Sequence, residues 1–336
     1  MAEKQVKLSK EKKEDILSKA LTLKDEAEQY YFSYVEPKVT YRNQVVMGNA
    51  EYYAETLERL EELSTYVSGD AFRVVESKVG KMLKIFFGGT EVIQITSDDE
   101  DAAKDRQKLV NYQFQEKNKG FTLSQQAFWD AFVNTNGFLK VSRFKKEEWV
   151  DALPVVTKPE EAKMLDKDKK FKIEQITQTP VGYVVHGKEF KIIEQYPKIE
   201  VIPVEDFLIS PRAKSLSTSD YVCHRPLKTL SDIQSNSVSN GGMYWDDAVE
   251  ELIGQGGGDD CIDSKTARVD PAWAEYPAMD NDQQVRLYES YINFDLKDDG
   301  IMVPMIVTHA KGVLLRAEEN VYGRTPIFRL PVNKSN

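Results

Sequence analysis

Cysteine is scarce in this 336-residue chain: Cys223 and Cys261 are the only two, and they form no CxxC pair. That excludes a disulfide framework and leaves two ordinary reduced thiols as the expectation. Histidine is equally thin, with only His186, His224 and His309, so a zinc site built from the five residues is not expected. No apolar run approaches the roughly 20 residues a membrane span needs, so no membrane partner is expected. The amino terminus, MAEKQVKLSKEKKED, has no apolar core and does not read as a secretory leader. Cytosolic residence after synthesis is the default. A long basic stripe is also missing. The net charge is -10, and the cluster Lys4, Lys7, Lys10, Lys12 and Lys13 is interrupted by Glu3 and Glu11. Diffuse grip on a phosphate backbone is therefore not expected, and the lysines read as a solvated helix start.

What is present is a globular composition, 41% hydrophobic and 30% charged, in a chain long enough for two domains. Ile16, Ala20, Leu23, Ala27, Tyr30 and Tyr34 alternate steps of four and three, which predicts a helix over 9–34 with Ser9 as N-cap and Pro37 forbidding continuation. A second amphipathic segment is expected over 50–67. A third helix, N-capped by Asp70 and ended by Gly88-Gly89, is apolar around much of its circumference and should be buried, in its own domain or against a neighbouring subunit. Glu91 to Ile95 reads as a short strand. A helix from about Asp98 to Glu116 and another from Phe121 to Asn136 follow, the latter with Phe128, Trp129, Phe132 and Val133 on its apolar side and Gly137 at its C-cap. Phe138 to Phe144 alternates as a strand.

The middle is β-rich. Phe171 to Ile176, Val181 to Val185, Phe190 to Ile193 and Lys198 to Ile202 alternate, punctuated by Gly182 and Gly187, which predicts a meander or set of hairpins. Lys158 to Lys170 reads as a charged surface helix or loop. Two short helices are expected at Leu230 to Gln234 and Trp245 to Ile253, then a flexible linker from Gly254. Strands follow over 284–294 and 301–309, joined by DLKDDG, with a third at Gly312 to Arg316.

Candidate chemistry is weak throughout. Gly182 to Glu189 imitates a phosphate loop, but Glu189 stands where a hydroxyl is needed and would repel phosphate. Cys223 and His224 are adjacent in a strand and so point to opposite faces, which denies the cysteine its base. Asp98, Asp99, Glu100 and Asp101 together invite a metal, but acidic residues at a helix start complement its dipole. Asp295, Asp298 and Asp299 imitate a calcium loop, with Lys297 at the third position and Ile306 at the twelfth, so a hairpin turn with Gly300 at positive φ fits better. No catalytic, cofactor or metal residue is assigned, and no cofactor is expected.

Three stretches occurring in one order resemble the portal proteins of tailed bacteriophages of the short-tailed (podovirus) type. They are Arg73 to Phe144 (KMLKIFFGGTEVIQI, VNYQFQEKNKGF, WDAFVNTNGFLKV), Val201 to Ile233 (VIPVEDFLISPRAKSLSTSDYVCHRPLKTLSDI), and YESYINFDLKDDGIMVPMIVTHAKGVLL followed by TPIFRLPV. Lys297 departs from the aspartate-rich turn usual in that family. The resemblance implies an α+β fold: a wing-like domain over 1–225 with N-terminal helices and a β-rich middle, short helices and a Gly-rich linker over 226–258 as a possible stem, and a β-hairpin clip-like segment over 259–336. It implies a homo-oligomeric ring of twelve subunits at one capsid vertex, assembled in the host cytoplasm and carried in the virion. Its implied partners are major capsid protein, terminase, tail adaptor and double-stranded DNA passing non-specifically, without catalysis. Such portals continue well past the point where this chain ends near Pro331, so a truncated product, one half of a split portal or a partial reading frame is expected. An acidic conduit fits, since each phosphate gripped opposes sliding. Two other readings stay open from sequence: a metal-dependent nucleic-acid enzyme using Asp295, Asp298 and Asp299, and a non-portal scaffold or adaptor that binds through its helical N-terminal third.

Overall fold

The computed structural model describes residues 8–48, 69–89, 91–156, 171–179, 182–240, 242–256 and 284–332. The chain divides into two compact units, one comprising 1–92, 121–140 and 200–336, the other 93–120 and 141–199.

In the first unit, Ser9 caps helix α1 (Lys10–Tyr30) by accepting the Lys12 N–H, as its position predicts. Ile16, Ala20 and Ala27 form its buried stripe. The helix does not stop at Pro37. The chain passes through a π-turn, Tyr31–Val35, in which the Tyr31 carbonyl accepts the Glu36 N–H, and continues as α2 (Glu36–Met47). Pro37 sits in the first turn of α2, where its missing N–H costs nothing, and the widened π-turn accommodates its ring. Gly48, at φ 68°, ends α2 in the left-handed region. The amphipathic segment expected over 50–67 lies outside the described residues.

Helix α3 (Asp70–Phe87) begins one position earlier than expected. Gly69 is the capping residue and accepts the Arg73 N–H, while Asp70 is already helical. Only one stripe of α3 is buried: Val75, Val79 and Leu83 pack with Val46 of α2 and with Phe128 and Val133 of α5 (Gly120–Asn134). The opposite side, with Val74, Ile85 and Phe86, faces solvent, and Ile85 is 74% exposed. After α5 the left-handed position is taken by Thr135 (φ 68°), not by Gly137. Gly137 instead lies inside strand β1 (Asn136–Ala152), where an added Cβ would stand 2.6 Å from the Ala127 carbonyl oxygen.

Five antiparallel strands form the sheet of this unit in the order β11-β10-β9-β6-β5: β5 (Phe207–Ile209), β6 (Tyr221–His224), β9 (Tyr288–Phe294), β10 (Val303–Ala310) and β11 (Val313–Glu319). A two-residue turn with Lys311 (φ 47°) and Gly312 (φ 78°) closes the β10–β11 hairpin. Period-two alternation splits the sheet's side chains. Tyr221, Cys223, Ile292, Met305 and Val307 pack under α1, while Val222 and Tyr291 pack with Val39, Phe138 and Phe207. The divisions expected at 225/226 and 258/259 thus fall between strands of one hydrogen-bonded sheet. Strands β7 (Leu227–Thr229) and β8 (Gln284–Arg286) pair separately. Helices α6 (Leu230–Ser235) and α7 (Asp246–Gly254) pack with Val285, Leu287 and Leu315. A strand that local sequence does not announce, β12 (Ile327–Pro331), pairs antiparallel with the first five residues of β1, Asn136 opposite Pro331 and Lys140 opposite Ile327.

The strand expected at Glu91 to Ile95, where the chain passes into the second unit, is absent. Asn111 brackets Ile93, donating to its carbonyl at 2.8 Å and accepting its N–H at 3.1 Å, and Gln107 accepts the Ile95 N–H at 2.9 Å. Side chains of helix α4 (Glu100–Tyr112) thereby satisfy this backbone, so no strand partner is needed. Asp99 caps α4 by accepting the Ala102 N–H. Of the segments expected in the middle, Phe171 to Ile176 lies in its own strand, β3 (Phe171–Thr179), while the later ones merge into one 21-residue strand, β4 (Gly182–Ile202), which pairs antiparallel with β3 and with β2 (Val155–Val156). Gly187 is not a turn: the ring of Phe171 lies against it, and a Cβ there would stand 2.3 Å from the Lys172 carbonyl oxygen. The charged stretch expected at Lys158 to Lys170 lies outside the described residues.

Candidate functional site

The aspartate loop, the strongest sequence candidate for metal chemistry, does not converge on a point. Asp295 accepts the backbone N–H groups of Gly300 (2.7 Å), Lys297 (3.2 Å) and Asp299 (3.3 Å). Slight desolvation would raise its pKa, but these donors hold it below the ordinary value. Asp298, at φ 56°, pairs with Lys12, and Asp299 accepts the Ile301 N–H at 2.9 Å. Each carboxylate is engaged by a different partner, and Gly300 sits at φ 80° as a turn glycine should. In this geometry the carboxylates are turned to backbone donors and to an ammonium rather than gathered around one point. Among the described residues no group of three or more His, Cys, Asp or Glu is arranged to hold a metal.

The other sequence candidates are also structural. Gly182 to Glu189 is regular strand, without the loop a phosphate requires. Cys223 is fully buried, and burial pushes its thiol up to about 11. It packs under α1, whereas His224 points to the other face of β6. Cys261 lies outside the described residues.

Two buried polar clusters escaped sequence reasoning. In one, Lys140 of β1 donates to Glu289 of β9 at 2.8 Å and approaches His224 Nδ1 at 3.4 Å, while Tyr291 donates its hydroxyl to Glu289. Burial alone would raise the Glu289 carboxyl, but the Lys140 ammonium and the Tyr291 hydroxyl outweigh it and hold it at about 2. Burial and then Lys140 pull His224 down to about 4. The one sequence signal was parity: Lys140 shares the strand face of buried Phe138. In the other cluster, Arg225 donates twice to the Glu205 carbonyl oxygen, at 3.0 and 2.9 Å, and once to Glu28 at 3.3 Å. Its guanidinium lies 4.4 Å from the Tyr31 ring centroid, and Tyr288 donates to Glu28 at 2.8 Å. The same cluster explains why α1 keeps Glu28 on a partly buried face.

A pH dependence follows. His309 is buried, stacked on Tyr288, and lowered to about 4, first by burial and then by Lys24. Both His309 and His224 therefore have folded pKa values below the unfolded value of about 6.5. Their contribution is complete above pH ~6.5 and is lost as pH falls toward 4. The denaturant midpoint of unfolding should fall across that window, and His309→Gln should flatten the fall.

Among the described residues these arrangements tie strands and helices of the fold to one another. No curated protein matches the chain. Across residues 16–335 it matches the family described as Phage SU10 portal protein. With most of its length inside that match, the chain belongs to the phage portal protein family, proteins of the bacteriophage capsid and of DNA packaging.

Proposed function

We propose that this chain is a ring-forming portal subunit of podovirus type, sitting at one vertex of a phage capsid. The observation that carries the reading is the family match over residues 16–335. A subunit number of twelve, a place in the assembling particle in the host cytoplasm and then in the virion, and docking to major capsid protein, terminase and tail adaptor belong to the same reading. Double-stranded DNA would pass non-specifically. The net charge of -10 supports a conduit that does not grip phosphates. In this reading 1–225 is the wing-like part, 226–258 the possible stem and 259–336 the clip-like part. The exposed apolar side of α3 supports a buried role in a larger assembly.

Affinity purification of the tagged chain from infected cells tests the reading. Terminase and major capsid protein should co-purify with it. Recovery of a scaffold or adaptor complex lacking both would favour the non-portal reading instead.

A further inference from the structure

The second unit has little core of its own. Among the described residues its buried hydrophobic side chains are Ala103, Phe171 and Val185, and the remaining ones belong to the first unit. Ala103 lies on α4. Phe171 and Val185 pack together, with Ala152, Val156 and Ile173 beside them, each of these partly buried. On β3 the residues from Glu174 to Gln178 are exposed. Along β4 no residue from Lys188 to Val201 is buried, so no buried side chain of that strand links the small cluster to Ile202 at its end. The helical part is held by polar contacts at or near the surface. Asn118 accepts the Ile199 N–H at 2.7 Å and donates to the Pro197 carbonyl at 2.9 Å, and Lys117 pairs with Glu194. Asn111 and Gln107 bind the backbone of Ile93 and Ile95 in the same way. Contacts of this kind replace bonds to water and add little net stability.

The first unit is built differently. Its sheet buries Tyr221, Cys223, Ile292, Met305 and Val307 under α1, and Val222 and Tyr291 on its other face. Stability grows with the apolar area removed from water, whereas every ordered residue costs backbone entropy wherever it sits. Long strands around a two-residue core therefore keep a smaller surplus than a sheet packed on both faces. Sparse buried apolar contacts and exposed backbone hydrogen bonds are what mark a region that opens below the free energy of global unfolding.

We infer that the second unit is a separately unfolding body, which loses and regains its structure while the first unit stays native. The fold then contains a conformational device, one part of it able to open without the other. The test is native-state hydrogen exchange of the full chain in increasing urea below the main unfolding transition, read peptide by peptide. Peptides over 183–192 of β4 should exchange at least ~100-fold faster than those over 288–294 and 303–310, and with a shallower urea dependence because less surface is exposed in the opening. Val185→Ala should speed the β4 peptides by a further ~10-fold or more and leave the β9 and β10 peptides unchanged. If that variant cannot fold its second unit at all, the β4 peptides exchange at once while those of β9 and β10 stay slow, which is the same result in stronger form. One shared rate and urea dependence for both sets in the wild type would overturn the inference. So would an equal acceleration of both sets by Val185→Ala, since the chain would then unfold as one body.

Discussion

Lys140→Ala should destabilise the protein by about 3–5 kcal/mol at neutral pH, the usual cost of removing one partner from a buried ion pair. Lys140 and Glu289 have nearly buried side chains, with 8% and 18% of their surface accessible, and their 2.8 Å contact joins β1 to β9. Without the ammonium, Glu289 keeps only the Tyr291 hydroxyl as a side-chain hydrogen-bond donor among the described residues. Burial, the first influence on this carboxyl, then acts with much less opposition. The pH dependence changes sign as a result. In the wild type the Glu289 pKa is about 2, below the ordinary value of 4.5, so its contribution is present above pH ~4.5 and is lost as pH falls toward 2. In the variant the buried carboxylate has a raised pKa, so the defect is largest at neutral pH and shrinks as Glu289 takes up a proton. Urea unfolding from pH 7 to pH 4 measures this. The double variant Lys140→Met/Glu289→Gln should recover most of the loss, because no uncompensated charge remains. Equal losses in the single and double variants would rule the buried charge out as the cause.

Arg225→Ala is the second large effect, again about 3–5 kcal/mol. The guanidinium satisfies the Glu205 carbonyl with two donors, pairs with Glu28 and stacks on Tyr31, so it locks α1 to the turn before β5. Arg225→Lys should recover less than half, because an ammonium can neither fork onto one carbonyl nor stack as a plane. A thermal-unfolding cycle with Glu28→Gln checks the coupling, and additive losses would mean that the 3.3 Å contact with Glu28 contributes nothing.

Legibility from sequence followed the range of the interactions. The stripe Ile16, Ala20, Ala27 and the Ser9 cap were readable because helix periodicity and capping act within a few residues. So was the turn at Gly300, whose φ of 80° only glycine adopts at low cost. Pro37 misled because a π-turn just before it absorbed the ring, and Gly187 because its glycine requirement comes from Phe171 in another strand. Glu91 to Ile95 has strand composition, yet Asn111 and Gln107 supply the hydrogen bonds a neighbouring strand would have given. Strand β12 pairs with residues about 190 positions earlier, and no local pattern encodes that. The candidate sites divide in the same way. Lys297 within DLKDDG argued against a metal, and the backbone donors to Asp295 show the turn that replaces it. The Lys140–Glu289 and Arg225–Glu28 pairs join residues 149 and 197 positions apart and were beyond any spacing rule.

The most direct test of the central claim is negative-stain electron microscopy of the purified chain, imaged across a concentration series. The portal reading predicts closed rings of many copies with an open centre, of one size once assembly is complete. Compact monomers alone at every concentration, from protein with native circular dichroism, would contradict it.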